Sequence, residues 1–385
     1  MKKYNFDEIN DRHYVNSLKY DGVPDDALSF TIADMDFKCI KEIKDAINHV
    51  ASLDSFGYRY VDDNYFLSYI RHFEKKNIHL SVDNFAFSCG VIASLDSLLN
   101  LLTNKGDKIA LFSPAYNCFF SVAKNHSLEL IELPFLNDDF DIDYYALEEA
   151  FKNIKIFILC NPNNPNGKIF SLFELDKIID LANKYSVTII SDEIHSDIVS
   201  PNKRSHSLLE LDKNKLNNCY VLYSPSKVFN LAGLHSSVVI SLNKERLASI
   251  QAQLYKDNVG EPSYFALEPV IAAFDNEDIY FEELNQYIFE NKVLLKEGLE
   301  KTSDKFKVYI SDATYLMWIN IKQFNLSNDE FISLCKKYKL YISDGRNYGK
   351  YGDGFIRINV ATNKATINRL IRTLEKIIKC DNLNK

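Results

Sequence analysis

A chain of 385 residues, 46% of them hydrophobic, can bury a large core and is expected to hold two domains. A formal charge of −8, with lysines scattered among acids and no basic run, argues against nucleic acid as a main partner. Seven cysteines, at positions 39, 89, 118, 160, 219, 335 and 380, form no C-x-x-C pair, which opposes both a zinc site and a disulfide framework and points to a reducing cytoplasm.

The N-terminal Met1-Lys2-Lys3-Tyr4-Asn5-Phe6-Asp7 meets acids before any apolar stretch, unlike a signal peptide. No apolar run approaches the ~20 residues of a membrane helix, so a soluble protein is expected. Phe87-Ser88-Cys89-Gly90-Val91-Ile92-Ala93-Ser94 leads from a short strand into a helical pattern. That puts the Val91 and Ile92 amides at a helix N-terminus suited to an anion. Lys108–Ser113 reads as a strand, residues 143–152 as a helix and 155–160 as a strand. The last of these runs into Cys160-Asn161-Pro162-Asn163-Asn164-Pro165-Asn166-Gly167, where two Asn-Pro pairs and a glycine force a tight, irregular loop. Residues 172–185 place Leu172, Leu175, Ile178, Ile179, Ala182 and Tyr185 on one helical face. The β-branched strand 187–191 delivers Asp192, Glu193 and His195 to its carboxyl end; alone, Asp192 would read as the cap of a following helix.

Strand 220–223 is followed by Ser224-Pro225-Ser226-Lys227, and a further strand covers 237–241. Lysines after serine-rich turns are mostly solvated. Lys227, however, stands at a strand mouth with apolar residues after it, where desolvation would lower its pKa and free a nucleophilic amine. Three strand-end motifs in one chain suggest a single ligand, because parallel sheets bind ligands outside the carboxyl ends of their strands. The alternation so far predicts a mostly parallel α/β sheet covered on both faces. After about residue 285, strand-like Phe306–Ile310 and Tyr315–Ile321, a helix near 328–338, the strand Phe355–Val360 and a helix over 364–379 predict a smaller α+β domain. In Phe355-Ile356-Arg357-Ile358-Asn359 the arginine alternates with apolar residues and is costly unless paired. A bidentate bond to a substrate carboxylate would use its fork, and an internal salt bridge is the competing reading.

Together these motifs resemble the fold-type I pyridoxal-phosphate enzymes of the aminotransferase class I/II superfamily. Asp11-Arg12-His13, Thr31-Ile32-Ala33-Asp34-Met35-Asp36-Phe37, Phe56-Gly57-Tyr58, Pro114-Ala115-Tyr116, Ser191–His195, Tyr348-Gly349 and Gly354–Asn359 are similar to its cystathionine β-lyase-like branch, the cysteine C–S lyases of the maltose-regulon modulator type. The resemblance implies a segment 1–45 packing with a small domain at 285–385, and a large cofactor-binding domain at 46–284. It implies pyridoxal 5'-phosphate anchored by Lys227, which also serves as the base for the Cα proton. Asp192 would face the pyridine nitrogen, Asn164 the phenolic oxygen and Tyr116 the ring face. His195 would lie near the ring or play a structural part. Val91, Ile92, Ser224 and Ser226 would hold the phosphate. His235 stands where many aminotransferases carry a phosphate-clamping arginine, as in the lyase branch, which lacks it. Tyr58 would reach the phosphate of a neighbouring subunit, making a homodimer with shared sites. Arg357 would take the substrate carboxylate, and the Ile32–Met35 segment would line the substrate mouth. The reaction implied is β-elimination from cystathionine or another cysteine S-conjugate, giving a thiol, pyruvate and ammonia. The alternatives are amino transfer and a transcription-modulating binding role with residual lyase activity. No metal is expected.

Overall fold

A computed structural model describes residues 3–8, 10–137, 139–381 and 383. Met1 and Lys2, part of the stretch weighed as a signal peptide, lie outside the described residues, as does the last residue of the expected small domain.

Seven apolar runs form the main sheet: β1 (Phe85–Ser88), β2 (Lys108–Ser113), β3 (Glu129–Pro134), β4 (Ile156–Cys160), β5 (Thr188–Asp192), β6 (Cys219–Tyr223) and β7 (Ser237–Ile240). Their order is β1-β7-β6-β5-β4-β2-β3, and only β7 runs against the rest. The central strands β4 and β6 are apolar throughout because both faces are covered, whereas the edge strand β3 carries Glu129 and Glu132. In β4, Phe157 and Leu159 enter one apolar cluster while Ile156, Ile158 and Cys160 enter the other. The helix Leu172–Tyr185 begins where Ser171 and Glu174 form a reciprocal capping box, ends at left-handed Ser186, and buries Leu175, Ile178, Ile179 and Ala182. The chain thus forms the mostly parallel α/β sheet read from its sequence.

Register positions the site. Cys160 pairs with Asp192, and Asp192 with Leu222, so the ends of β4, β5 and β6 lie side by side. The Asn-Pro loop, the acid–histidine turn and the lysine turn therefore leave the sheet at one edge.

A second, antiparallel sheet contains β8 (Lys307–Val308), β9 (Leu316–Asn320), β10 (Ser343–Asp344) and β11 (Phe355–Asn359), in the order β10-β11-β9-β8. Leu316 and Ile356 of this sheet, Leu295 and Leu374 of the helices Glu277–Thr302 and Lys364–Cys380, and Phe6, Phe30, Met35 and Phe37 near the N-terminus share one apolar cluster. The strand expected over Phe306–Ile310 shortens to Lys307–Val308. The chain beyond it is drawn to the large sheet instead: the Ser200 amide donates to the Asp312 carbonyl (2.7 Å), Ala313 to Gly167 (3.1 Å) and Thr314 to Ile198 (2.8 Å).

Gly167 makes that junction possible. Its φ is +72°, and an added Cβ would meet the Ala313 oxygen and Ser311 Cβ at 2.5 Å. Gly167→Ala should therefore destabilise the protein by roughly 2–4 kcal/mol through strain and overpacking. Urea unfolding tests this, and a midpoint equal to wild type would mean that the junction tolerates a side chain.

Candidate active site

The three strand-end loops enclose a cavity of about 420 Å³, lined by residues of all three and by Gly90, Val91 and Ile92. At one end, the helix Val91–Leu102 starts with no side-chain cap on Gly90. Its first amides have no partner within the helix and are available to an anion. Ser224 and Ser226 line the same cavity. Ser224 donates its hydroxyl proton to the Ser236 carbonyl (2.6 Å) and accepts the Ser226 amide (3.1 Å), so it shapes the turn.

Lys227 is half-buried at the cavity wall, and its Nζ donates to the Ala33 carbonyl at 2.7 Å. Burial lowers its pKa, Arg357 adds to that, and Asp34 and Asp192 oppose it. Asp192, the last residue of β5, is pushed up to about 6 by burial, against the pull of the Ile194 amide (3.1 Å) and Lys227. That amide contact closes a turn; the next helical element, at Leu208–Glu210, is too distant to be capped by Asp192. His195 is held well below the usual imidazole range by burial, then by Lys227 and Arg357, and its Nδ1 is buried with no partner. Tyr116 precedes the helix Asn117–Asn125 and also lines the cavity; burial, then Cys118, raises its pKa.

Arg357 arrives from β11 of the second sheet and is 4% exposed. Its Nη1 donates to Asn164 Oδ1 (3.2 Å), its Nη2 to the Thr31 carbonyl, and its Nε has no partner. The guanidinium lies over the Tyr348 ring at 4.8 Å. Among the described residues no carboxylate pairs with it, so the internal salt bridge weighed for Arg357 is not formed. Two candidates do not line the cavity itself: Arg357 reaches it through its bond to the lining residue Asn164, and Tyr58 is fully exposed, beside exposed Phe56 and Tyr60.

The sequence reading passed over several partners. Tyr315, wholly buried, donates to the Ala33 carbonyl (2.9 Å), and Asn359 Nδ2 donates to the Ile32 and Asp34 carbonyls (2.6 Å each). Asn230 bonds both the amide and the carbonyl of Met35 (2.9 and 2.8 Å). Thr31–Met35 is thereby held beside Lys227 and Arg357, which donate to its Ala33 and Thr31 carbonyls. Polar residues at the end of apolar strands were the available signal, most clearly Asn359 in β11. The set can hold an anion at one end, a desolvated amine and a buried acid in the middle, and a second anion at Arg357.

The sequence profile of the aminotransferase class I and II family matches residues 25–374. The chain belongs to that family. It is 29% identical over 382 residues to the cystathionine β-lyase PatB of Bacillus subtilis, covering 96% of this chain and 99% of that one. The crystal structure of a PLP-bound putative aminotransferase from Clostridium difficile 630 superposes with a TM-score of 0.94 at 31% identity, covering 98% of this chain and all of that one. The PLP-bound C–S lyase of Staphylococcus hominis superposes with a TM-score of 0.90 at 25% identity, covering 97% and 99%. Membership in the family accounts for the two-sheet architecture and for the cavity at the strand ends.

The raised value at Asp192 gives a pH test of the ligand-free protein. The folded state binds this proton more tightly than the unfolded chain, whose group titrates near 3.8. The penalty is absent below pH 3.8 and complete above about pH 6. Asp192→Asn should stabilise the ligand-free protein by roughly 2–3 kcal/mol at pH 7.5, with the gain fading toward pH 4. Chemical denaturation at both pH values decides; a variant no more stable than wild type at pH 7.5 would show that the carboxylate is adequately solvated or paired.

Proposed function

We propose that the chain is a pyridoxal-phosphate-dependent carbon–sulfur β-lyase acting on cystathionine or a related cysteine S-conjugate. The observation that supports this reading is a partly desolvated amine at Lys227 in the cavity, with Arg357, a guanidinium paired with no carboxylate among the described residues, bonded to Asn164 of the same lining. The residues fit the cofactor. The uncapped amides of Val91 and Ile92, with the Ser226 hydroxyl, suit its phosphate. Asp192 suits the pyridine nitrogen, and Asn164 with the unpartnered His195 suits the phenolic oxygen. Tyr116 supplies an aromatic face.

When bound, pyridoxal phosphate supplies an aldehyde for the Lys227 amine and an electron sink for charge that develops at the substrate Cα. Arg357 receives the α-carboxylate in its planar fork, and Tyr348 and Asn164 fix the plane of that fork. Lys227 then has its role as base: a partly desolvated amine whose pKa is lowered by burial accepts the Cα proton. Asp192, kept as a carboxylate by a cationic partner, stabilises positive charge on the pyridine ring. His195 stays neutral, so it adds no charge that would compete with Lys227. Loss of the thiol from Cβ, followed by hydrolysis, gives pyruvate and ammonia.

The described relatives named cystathionine β-lyase and C–S lyase favour elimination, whereas the Clostridium difficile neighbour's description favours amino transfer. The same residues serve both reactions. The functional unit is a homodimer in this reading, with the exposed Tyr58 reaching the partner's phosphate site. The division at about residues 45 and 285 belongs to the same proposal and is supported by the apolar cluster joining Phe6 and Phe30 to the second sheet. All seven cysteines are free, which supports a reducing cytoplasm. No helix among the described residues is long and apolar enough to cross a membrane.

With cystathionine, the cofactor-loaded protein should release pyruvate and free thiol in equal amounts; keto-acid-dependent amino transfer without pyruvate would reject the lyase reading. Arg357→Ala should raise KM for every amino-acid substrate by roughly 100-fold, the loss of about 3 kcal/mol of charge-assisted bonding. Lysine at that position should rescue poorly, for want of the fork. Melting temperature should hold or rise, because a buried cation without a counter-charge is removed. A lower melting temperature with unchanged KM would make Arg357 a structural residue.

A further inference from the structure

Outside the cavity lining lies a buried polar cluster that no step above uses. The Tyr223 hydroxyl, at the end of β6, bonds Asp197 Oδ2 (2.5 Å) and His72 Nε2 (3.0 Å). Asp197 Oδ1 receives Lys76 Nζ (2.5 Å), and His72 Nδ1 bonds Glu277 Oε2 (2.6 Å). The side chains of His72, Asp197 and Glu277 are 2–3% exposed. None of the four, Tyr223 included, lines the cavity. Burying such charges costs several kcal/mol, and apolar residues of equal volume often stabilise as well or better. A cluster of this kind is therefore better explained by the geometry it imposes than by stability.

That geometry bears on the reacting groups. The last backbone bond between β5 and β6 runs from the Glu193 amide to the Leu222 carbonyl (2.9 Å). Beyond it the two segments part, one carrying His195 to Asp197 and the other Tyr223 to Lys227. The Tyr223–Asp197 bond ties them again across the gap. His72, on the helix Asp63–Glu74, and Glu277, at the start of the helix Glu277–Thr302, brace the tie from the outside. Asn285 Nδ2 holds the Asp197 carbonyl (2.9 Å) from that second helix.

We propose that the Tyr223–Asp197 pair is a positioning device: it sets the separation between the segment bearing Asp192 and His195 and the turn bearing Lys227, and so the seating of whatever lies between them. This rests on the reading that the cavity holds pyridoxal phosphate. Tyr223→Phe keeps the ring among His72, Phe73 and Phe274 and removes only the hydroxyl.

The test uses cofactor-saturated Tyr223→Phe, Asp197→Asn and the double variant. Each single variant should lower kcat about tenfold, as small misplacements of reacting groups do, with KM within about twofold. The visible circular dichroism of the bound cofactor should weaken, while the far-ultraviolet spectrum stays as in wild type. The double variant should be no slower than the slower single, since both break one contact. A kcat and visible dichroism matching wild type, with only the melting temperature lowered, would overturn the proposal, as would effects that multiply. If Asp197→Asn does not fold, Tyr223→Phe decides alone. Wild-type protein that binds the cofactor but lacks lyase turnover would sink the lyase reading while the dichroism still tests the pair; wild-type protein that binds no pyridoxal phosphate would overturn both.

Discussion

An ammonium group removed from water loses several kcal/mol of hydration unless charge or hydrogen bonds replace it, and the enclosure of Lys227 is the constraint on which the rest of this site depends. Among the described residues the fold meets it with a single direct bond, to the Ala33 carbonyl, and with the more distant charges of Asp34 and Asp192. The amine is therefore partly desolvated but not locked into an ion pair, which favours its neutral form relative to a solvated lysine. A salt bridge in the same place would have stabilised the ammonium and removed its reactivity.

Two sheets contribute to this enclosure, and neither is sufficient. The parallel sheet brings the Asn-Pro loop, the acid–histidine turn and the lysine turn together because β4, β5 and β6 are neighbours in register. The antiparallel sheet brings Arg357, whose contact with Asn164 joins the two. The segment Thr31–Met35 lies beside Lys227 and Arg357, and each of its carbonyls accepts a hydrogen bond from a side chain elsewhere in the fold. Lys227 and Arg357 are among those donors, so the groups proposed to act on ligands also hold the segment in the ligand-free form.

The parallel strands were legible because burial on both faces leaves runs such as Ile156–Leu159 almost wholly apolar, and the capping box at Ser171 marks its helix plainly. Lys227, Asp192, Asn164 and Arg357 could be picked out as chemically awkward residues at strand ends or in an apolar strand. Asn359 was visible only as a polar end to an apolar strand and Tyr315 not at all, because their partners are backbone carbonyls about 280 or more residues earlier, which local patterns do not reveal. The strand expected at Phe306–Ile310 failed for a similar reason. The chain just beyond it, at residues 312–314, is held by bonds to residues 198–200 and 167, distant contacts of the same kind. Tyr223 was visible only as one more residue of an apolar strand, yet its hydroxyl anchors a charge cluster assembled from three other segments.

The central claim is that Lys227 is the amine that carries the cofactor. Reducing the pyridoxal-phosphate-loaded protein with borohydride fixes the cofactor to whichever amine holds it, and mass-spectrometric peptide mapping locates the label. The account predicts a single labelled peptide with the modification on Lys227, and none in Lys227→Ala. Stoichiometric label on any other lysine would contradict it.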